Sequence, residues 1–238
     1  ADPNHNYYRI LEEIVLPTMR ENGVNPDEVV WENLGSASQK FWEIYHGLNL
    51  HGISPMQWVQ GNDAERENWG ILSCHDDMTA RQQAENHEVR ARHAYDTGAL
   101  ANYLLPGDNL KAEREALEHQ IRTNPKVMTK AKLAELLRAT DKAQISFMDM
   151  FGINRRYNTP GTTGEYNWTL RLNPNYEDTY YEALKNDDYA INMPEIIKMA
   201  VRSKMEHDIM EGKDYNQAHS EAEPIMNELS HWENVLKS

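Results

Sequence analysis

Cysteine is almost missing: Cys74 stands alone among 238 residues, so no internal disulfide can form. That usage fits the reducing cytoplasm, where the chain is expected to reside. Long apolar runs are missing as well, with no stretch of about 18 apolar residues, which excludes a helix that spans a membrane. Positive charge is scarce, 24 Lys and Arg against 38 Asp and Glu, for a formal net charge of -14. A field of that sign repels phosphate backbones and excludes nucleic acid as a natural partner. A neutral ligand such as a sugar polymer is not penalised by it. The amino terminus, Ala1-Asp2-Pro3-Asn4-His5, carries neither a basic nor an apolar segment, so no signal peptide is expected.

What is present alternates between two periodicities. Tyr7, Ile10, Leu11, Ile14 and Val15 recur at helical spacing from His5 to Glu21, and Asn22-Gly23 stops the helix. The run Glu28 to Asn33 reads as a strand ending in Leu34-Gly35, and a helix follows with Ser36 or Ser38 as its cap. Ile53 to Val59 and Gly70 to Cys74 read as further strands, a long polar helix starts near Thr79, and Ala143 to Met148 reads as a fourth strand. Between about 96 and 140 the chain is helical and charged, with breaks at Pro106-Gly107 and Asn124-Pro125, the pattern of an inserted helical subdomain. The Pro and Gly residues of Asn158 to Gly164 forbid regular structure, and the tail is helical in pattern, with breaks expected at Pro194, Gly212 and Pro224.

Strands alternating with helices predict a parallel α/β architecture. Four such units make half of a (β/α)8 barrel, and half a barrel leaves two sheet edges to be covered by another segment or by self-association. The expected division is a partial barrel over 1–172, with the insertion at about 96–140, and a helical extension over 173–238.

Catalytic groups of a barrel sit where strands end. Glu32 ends the first expected strand, and His75, Asp76 and Asp77 follow the third. Two carboxylates converging there would supply an acid/base and an electrostatic partner for a cationic transition state, although such residues also serve as helix caps. His75-Asp76-Asp77 offers imidazole and carboxylate ligands, but no H-E-x-x-H or Cys cluster completes a metal site. Neither a metal nor a cofactor is expected. Cys74 has no nucleophile signature and reads as a small buried residue. The six tryptophans could stack on pyranose rings or fill a core.

Several strings point to one family. Trp31-Glu32-Asn33-Leu34-Gly35 resembles the E-[ND]-L-G element of the 4-α-glucanotransferases, or amylomaltases, and Ser73 to Thr79 resembles their T-H-D-N-D-T element, with Asp77 where Asn is usual and Met78 where Asp is usual. Phe147 to Gly152 is similar to Q-D-L-L-G, Asn158-Thr159-Pro160-Gly161-Thr162 to N-x-P-G-T, and Asn167 to Arg171 to N-W-x-x-R. The resemblance runs over roughly 1 to 172.

It implies a retaining transfer of α-1,4-glucan segments between maltooligosaccharides, with Glu32 as acid/base and Asp76 stabilising the transition state. His75, Asn33, Asn167 and Trp168 would bind the sugar. The family nucleophile is an Asp in an R-x-D motif, and no R-x-D occurs in the sequence. The resemblance therefore implies a carboxy-terminal part that is inactive until joined by the amino-terminal half. The alternative is a carbohydrate-binding or structural chain that does no chemistry.

Overall fold

The computed structural model describes residues 3–32, 38–86 and 97–238. Helices dominate. The amino-terminal helix runs as α1 (Pro3–Ile10), a π turn over Leu11–Val15 and α2 (Leu16–Glu21), and α3 (Gln39–Gly47) starts where the Ser38 hydroxyl accepts from Phe41 N. Leu16, Tyr45 and Leu50 join these helices in a small core of their own.

The sheet is small: β1 (Ile53–Pro55), β2 (Trp69–Ile71) and β3 (Lys142–Gln144), parallel and in sequence order. Ile53 pairs with Trp69 and Trp69 with Lys142. Each strand is shorter than the sequence suggests, for local reasons. Pro55 donates no hydrogen bond, and its carbonyl accepts from Trp58 N and Val59 N, which turns the chain after β1. Ser146 accepts from Asp149 N and caps a short helix, so β3 ends before the expected Met148. Gly70 is required by packing, since a Cβ there would lie 2.5 Å from the Thr140 hydroxyl.

The strand expected over 28–33 is not formed among its described residues. Asn25 caps a 3-10 turn at Pro26–Glu28, which consumes the start of that segment. One strand-like bond survives, Trp31 N donating to His51 O at 2.9 Å, while Gly52 O on the opposite side of the same stretch accepts from Trp69 N at 2.8 Å. Successive carbonyls of an extended chain point to opposite edges, so Trp31 lies along the edge of β1 away from β2. The spatial order is thus the segment near Trp31, then β1, β2 and β3.

The main core lies between the sheet and the helices α4 (Ala80–Glu85), α5 (Thr97–Leu104), α6 (Lys111–Thr123) and α7 (Pro125–Ala139). Helix α7 is at its centre, burying Met128, Ala131, Leu133, Ala134 and Leu136. It also buries Lys132, which pairs with Glu135, whose second oxygen accepts from Gly61 N at 2.8 Å. After α8 (Phe147–Met150) and a turn-rich stretch come α9 (Tyr176–Lys185), α10 (Met193–Met210) and α11 (Tyr215–Lys237). Ile191 and Ile196 insert into the main core, and the Ser203 hydroxyl donates to Tyr103 O. Pro194 starts a helix and Gly212 separates two, but Pro224 sits inside α11 without breaking it. Packing of Ala218, Ala222 and Met226 against α10 holds that helix together across the missing bond. No described helix is long and apolar enough to cross a membrane.

Candidate active site

β2 leads into the loop that carries Cys74, His75, Asp76 and Asp77, and α4 takes over at Ala80 with Thr79 as its cap. Thr79 and Gln82 form a reciprocal capping box, so the loop has a fixed exit. Its interior side is tied down by amides. The Gln57 side chain donates to Asp77 Oδ2 at 2.6 Å, the Cys74 thiol donates to the same oxygen at 3.1 Å, and Gln83 bonds Gln57 and Met78 O. Burial, and then the bond to Asp77, push the Cys74 thiol up to about 11, so it stays protonated and is no nucleophile.

With Asp77 turned inward, His75 and Asp76 face outward, both roughly half exposed. Their side chains approach at 3.3 Å, His75 Nε2 to Asp76 Oδ1. That same oxygen accepts from Asn158 Nδ2 at 2.7 Å, and Asn158 N donates to His75 O at 2.9 Å. Asn158 therefore grips backbone and carboxylate together. It belongs to the Pro-Gly-Thr string, and the side chain's role was not apparent from that string.

Trp168 completes the cluster. Its ring lies 5.1 Å from the His75 ring and 5.3 Å, edge to face, from Tyr157. The residue holds φ at +62° while its side chain stays 52% exposed. A left-handed conformation costs a bulky residue roughly 1–2 kcal/mol, so the surrounding bonds must over-determine it. They do: Trp168 N donates to Tyr157 O at 3.0 Å, and Arg171 donates to Trp168 O and to the Tyr157 hydroxyl. An exposed, immobilised indole beside an imidazole and a carboxylate is suited to stacking on a sugar ring while hydroxyls are hydrogen-bonded at its edge.

Asn167 lies next to it but is occupied. Its amide oxygen accepts from Thr159 N and its nitrogen donates to Thr162, so it closes the loop over 159–167. Glu32 is elsewhere. It lines a mostly apolar cavity of about 390 Å³ with Tyr7, Leu11, Trp31, Phe41 and Tyr45, and no residue of the His75–Asp76 cluster lines it. The Trp31–His51 bond holds Glu32 close to a residue two positions ahead of β1, near the end at which β1 and the parallel β2 begin. Asp76 lies beyond the other end of β2. Asn33 is outside the described residues.

The structure thus gathers His75, Asp76, Asn158, Asn167 and Trp168, the order in which the strings occur along the chain. Over residues 4–177 the sequence matches a family model described as 4-alpha-glucanotransferase. The chain belongs to that family. No curated protein and no solved structure matches it. The glucanotransferase match includes Glu32 and the whole His75–Trp168 cluster, and ends inside α9, so α10 and α11 lie outside it.

Proposed function

We propose that this chain forms the carboxy-terminal half of a (β/α)8 barrel, with residues 1–172 in the barrel, a helical insertion at about 96–140 and a helical extension over 173–238. The intact protein would transfer α-1,4-glucan segments between maltooligosaccharides with retention, in the cytoplasm. The observation that carries the reading is the outward-facing pair His75 and Asp76, locked by Asn158 and roofed by Trp168.

In that reaction an Asp nucleophile supplied by the amino-terminal half attacks the anomeric carbon, and Glu32 protonates the leaving oxygen. The two carboxyls must stand about 5–5.5 Å apart. A sugar 4-hydroxyl then displaces the enzyme, Glu32 taking its proton. Asp76 stabilises the oxocarbenium-like state, and His75 and Asn33 hold hydroxyls while Trp168 stacks on a ring, Asn167 serving the sugar site by closing the loop next to Trp168. No cofactor enters these steps.

A second reading, a glucan-binding chain that does no chemistry, is favoured by one observation: Glu32 lines an apolar cavity separate from His75 and Asp76. Titration with maltoheptaose followed by tryptophan emission, then mixing with the amino-terminal half in the presence of maltotriose, tests both readings. Binding followed by glucose release supports transfer. Binding with no glucose released by the mixture supports the second reading, and failure to bind at all removes both.

A further inference from the structure

Asp149 is 2% exposed and sits in α8, far along the chain from the loop that carries His75 and Asp76. Its two carboxylate oxygens are spent on the two ends of that loop. Oδ2 accepts from the Ser73 hydroxyl, at the exit of β2, and Oδ1 accepts from Ala80 N at 2.7 Å, at the entry to α4. Ser146 supports the arrangement, its hydroxyl lying 3.3 Å from that of Ser73 and accepting from Asp149 N at 3.2 Å. The same segment holds the loop at further points, with Ile153 O accepting from Thr79 Oγ1 at 2.9 Å and Gly152 O accepting from Arg81 at 3.0 Å.

A buried carboxyl is expensive unless its bonds are specific, and an apolar side chain would fill the same volume without that cost. What an apolar side chain could not do is fix the distance between the end of β2 and the start of α4. We propose that Asp149 is a positioning residue for His75 and Asp76, its buried carboxylate setting the span of the loop that presents them to the sugar. The sugar-facing role of that pair rests on the function proposed above; the fixing of the loop does not.

The test uses this chain and two readouts. Trp168 emission senses the adjacent His75 imidazole, so His75→Ala changes the emission component that Trp168→Phe removes. In an Asp149→Ala background the loop loses both tethers, and His75→Ala is expected to change that component by less than half as much. Maltoheptaose affinity is expected to fall by about tenfold or more, since a small misplacement of binding groups carries a large penalty. Asp149→Asn, which can still accept from Ala80 N and bond Ser73, should restore most of both. A role confined to stability would lower the melting temperature and leave the His75–Trp168 coupling and the affinity untouched; that result overturns the proposal. Should Asp149→Ala not fold, Ser73→Ala cuts a single tether and is read the same way, with an unchanged coupling again overturning it. If the coupling is lost while even the unaltered chain ignores maltoheptaose, Asp149 does position the loop and the sugar assignment is what fails.

Discussion

Single side chains divide the site into groups that face solvent and groups that hold them. Asp76 is of the first kind. Replacing it with Asn keeps the shape and the bond from Asn158 but removes the charge that would stabilise a cationic transition state. If the proposed transfer reaction holds, Asp76→Asn should cut glucose release from maltotriose by roughly 100-fold or more in a mixture with the proposed amino-terminal half, with the melting temperature little changed. Asp149 is of the second kind, and its burial holds its carboxyl above the ordinary carboxylate range, the bonds from Ser73 and Ala80 only partly opposing that. An acid whose folded pKa is raised binds its proton more tightly when folded, so its contribution to stability is complete below its unfolded value and is lost as pH rises through the folded one. The amide introduced by Asp149→Asn does not titrate, so in thermal melts followed across pH the unsubstituted chain should gain on the variant as pH falls and lose ground to it as pH rises. These two aspartates also show what the sequence makes legible. Asp76 stands in a contiguous string with His75, so its nearness to the imidazole is visible in one dimension. Asp149 acts through Ser73 and Ala80, which only the packing of α8 on the loop brings to it, and no local pattern announces that.

At the scale of elements, the parallel α/β order was readable because the strand and helix periodicities alternate, and β1, β2 and β3 overlap the runs that predicted them. Their lengths were not readable. Pro55 and the Ser146 cap end strands that hydrophobicity alone would extend, and the run from Glu28 is interrupted by a capped 3-10 turn that its β-branched residues do not betray. The sheet's tight spot makes a direct test. A methyl group on Gly70 would meet the buried Thr140 side chain, so Gly70→Ala should lower stability by about 1–3 kcal/mol, seen as a lower midpoint in urea with little change in slope. Pro224 offers the opposite case. It is exposed within α11, it supplies no N–H to the helix, and Pro in a helix interior costs about 3 kcal/mol relative to Ala. Pro224→Ala is expected to raise the melting temperature by several degrees, the packing of Ala218 and Ala222 on α10 being unaffected.

For the molecule as a whole, the sheet poses the question that the sequence raised. Among the described residues β3 has a strand on one side only, and the stretch near Trp31 keeps a single strand-like bond to the far edge of β1. Exposed strand edges of this kind recruit further strands. If the edges belong to a divided barrel, adding the amino-terminal half should extend the ladder on both sides, drawing residues 28–32 into a full strand and moving Glu32 out of its apolar cavity towards the sugar cleft. Amide exchange measures this: protection at Trp31 and Glu32 should rise on mixing, together with protection along β3, and the chain without its partner should self-associate in light scattering. A clean monomer whose exchange pattern does not change on mixing would mean that these edges are already closed. Glu32 would then remain with Trp31 and Tyr45, and the acid/base role would need another residue.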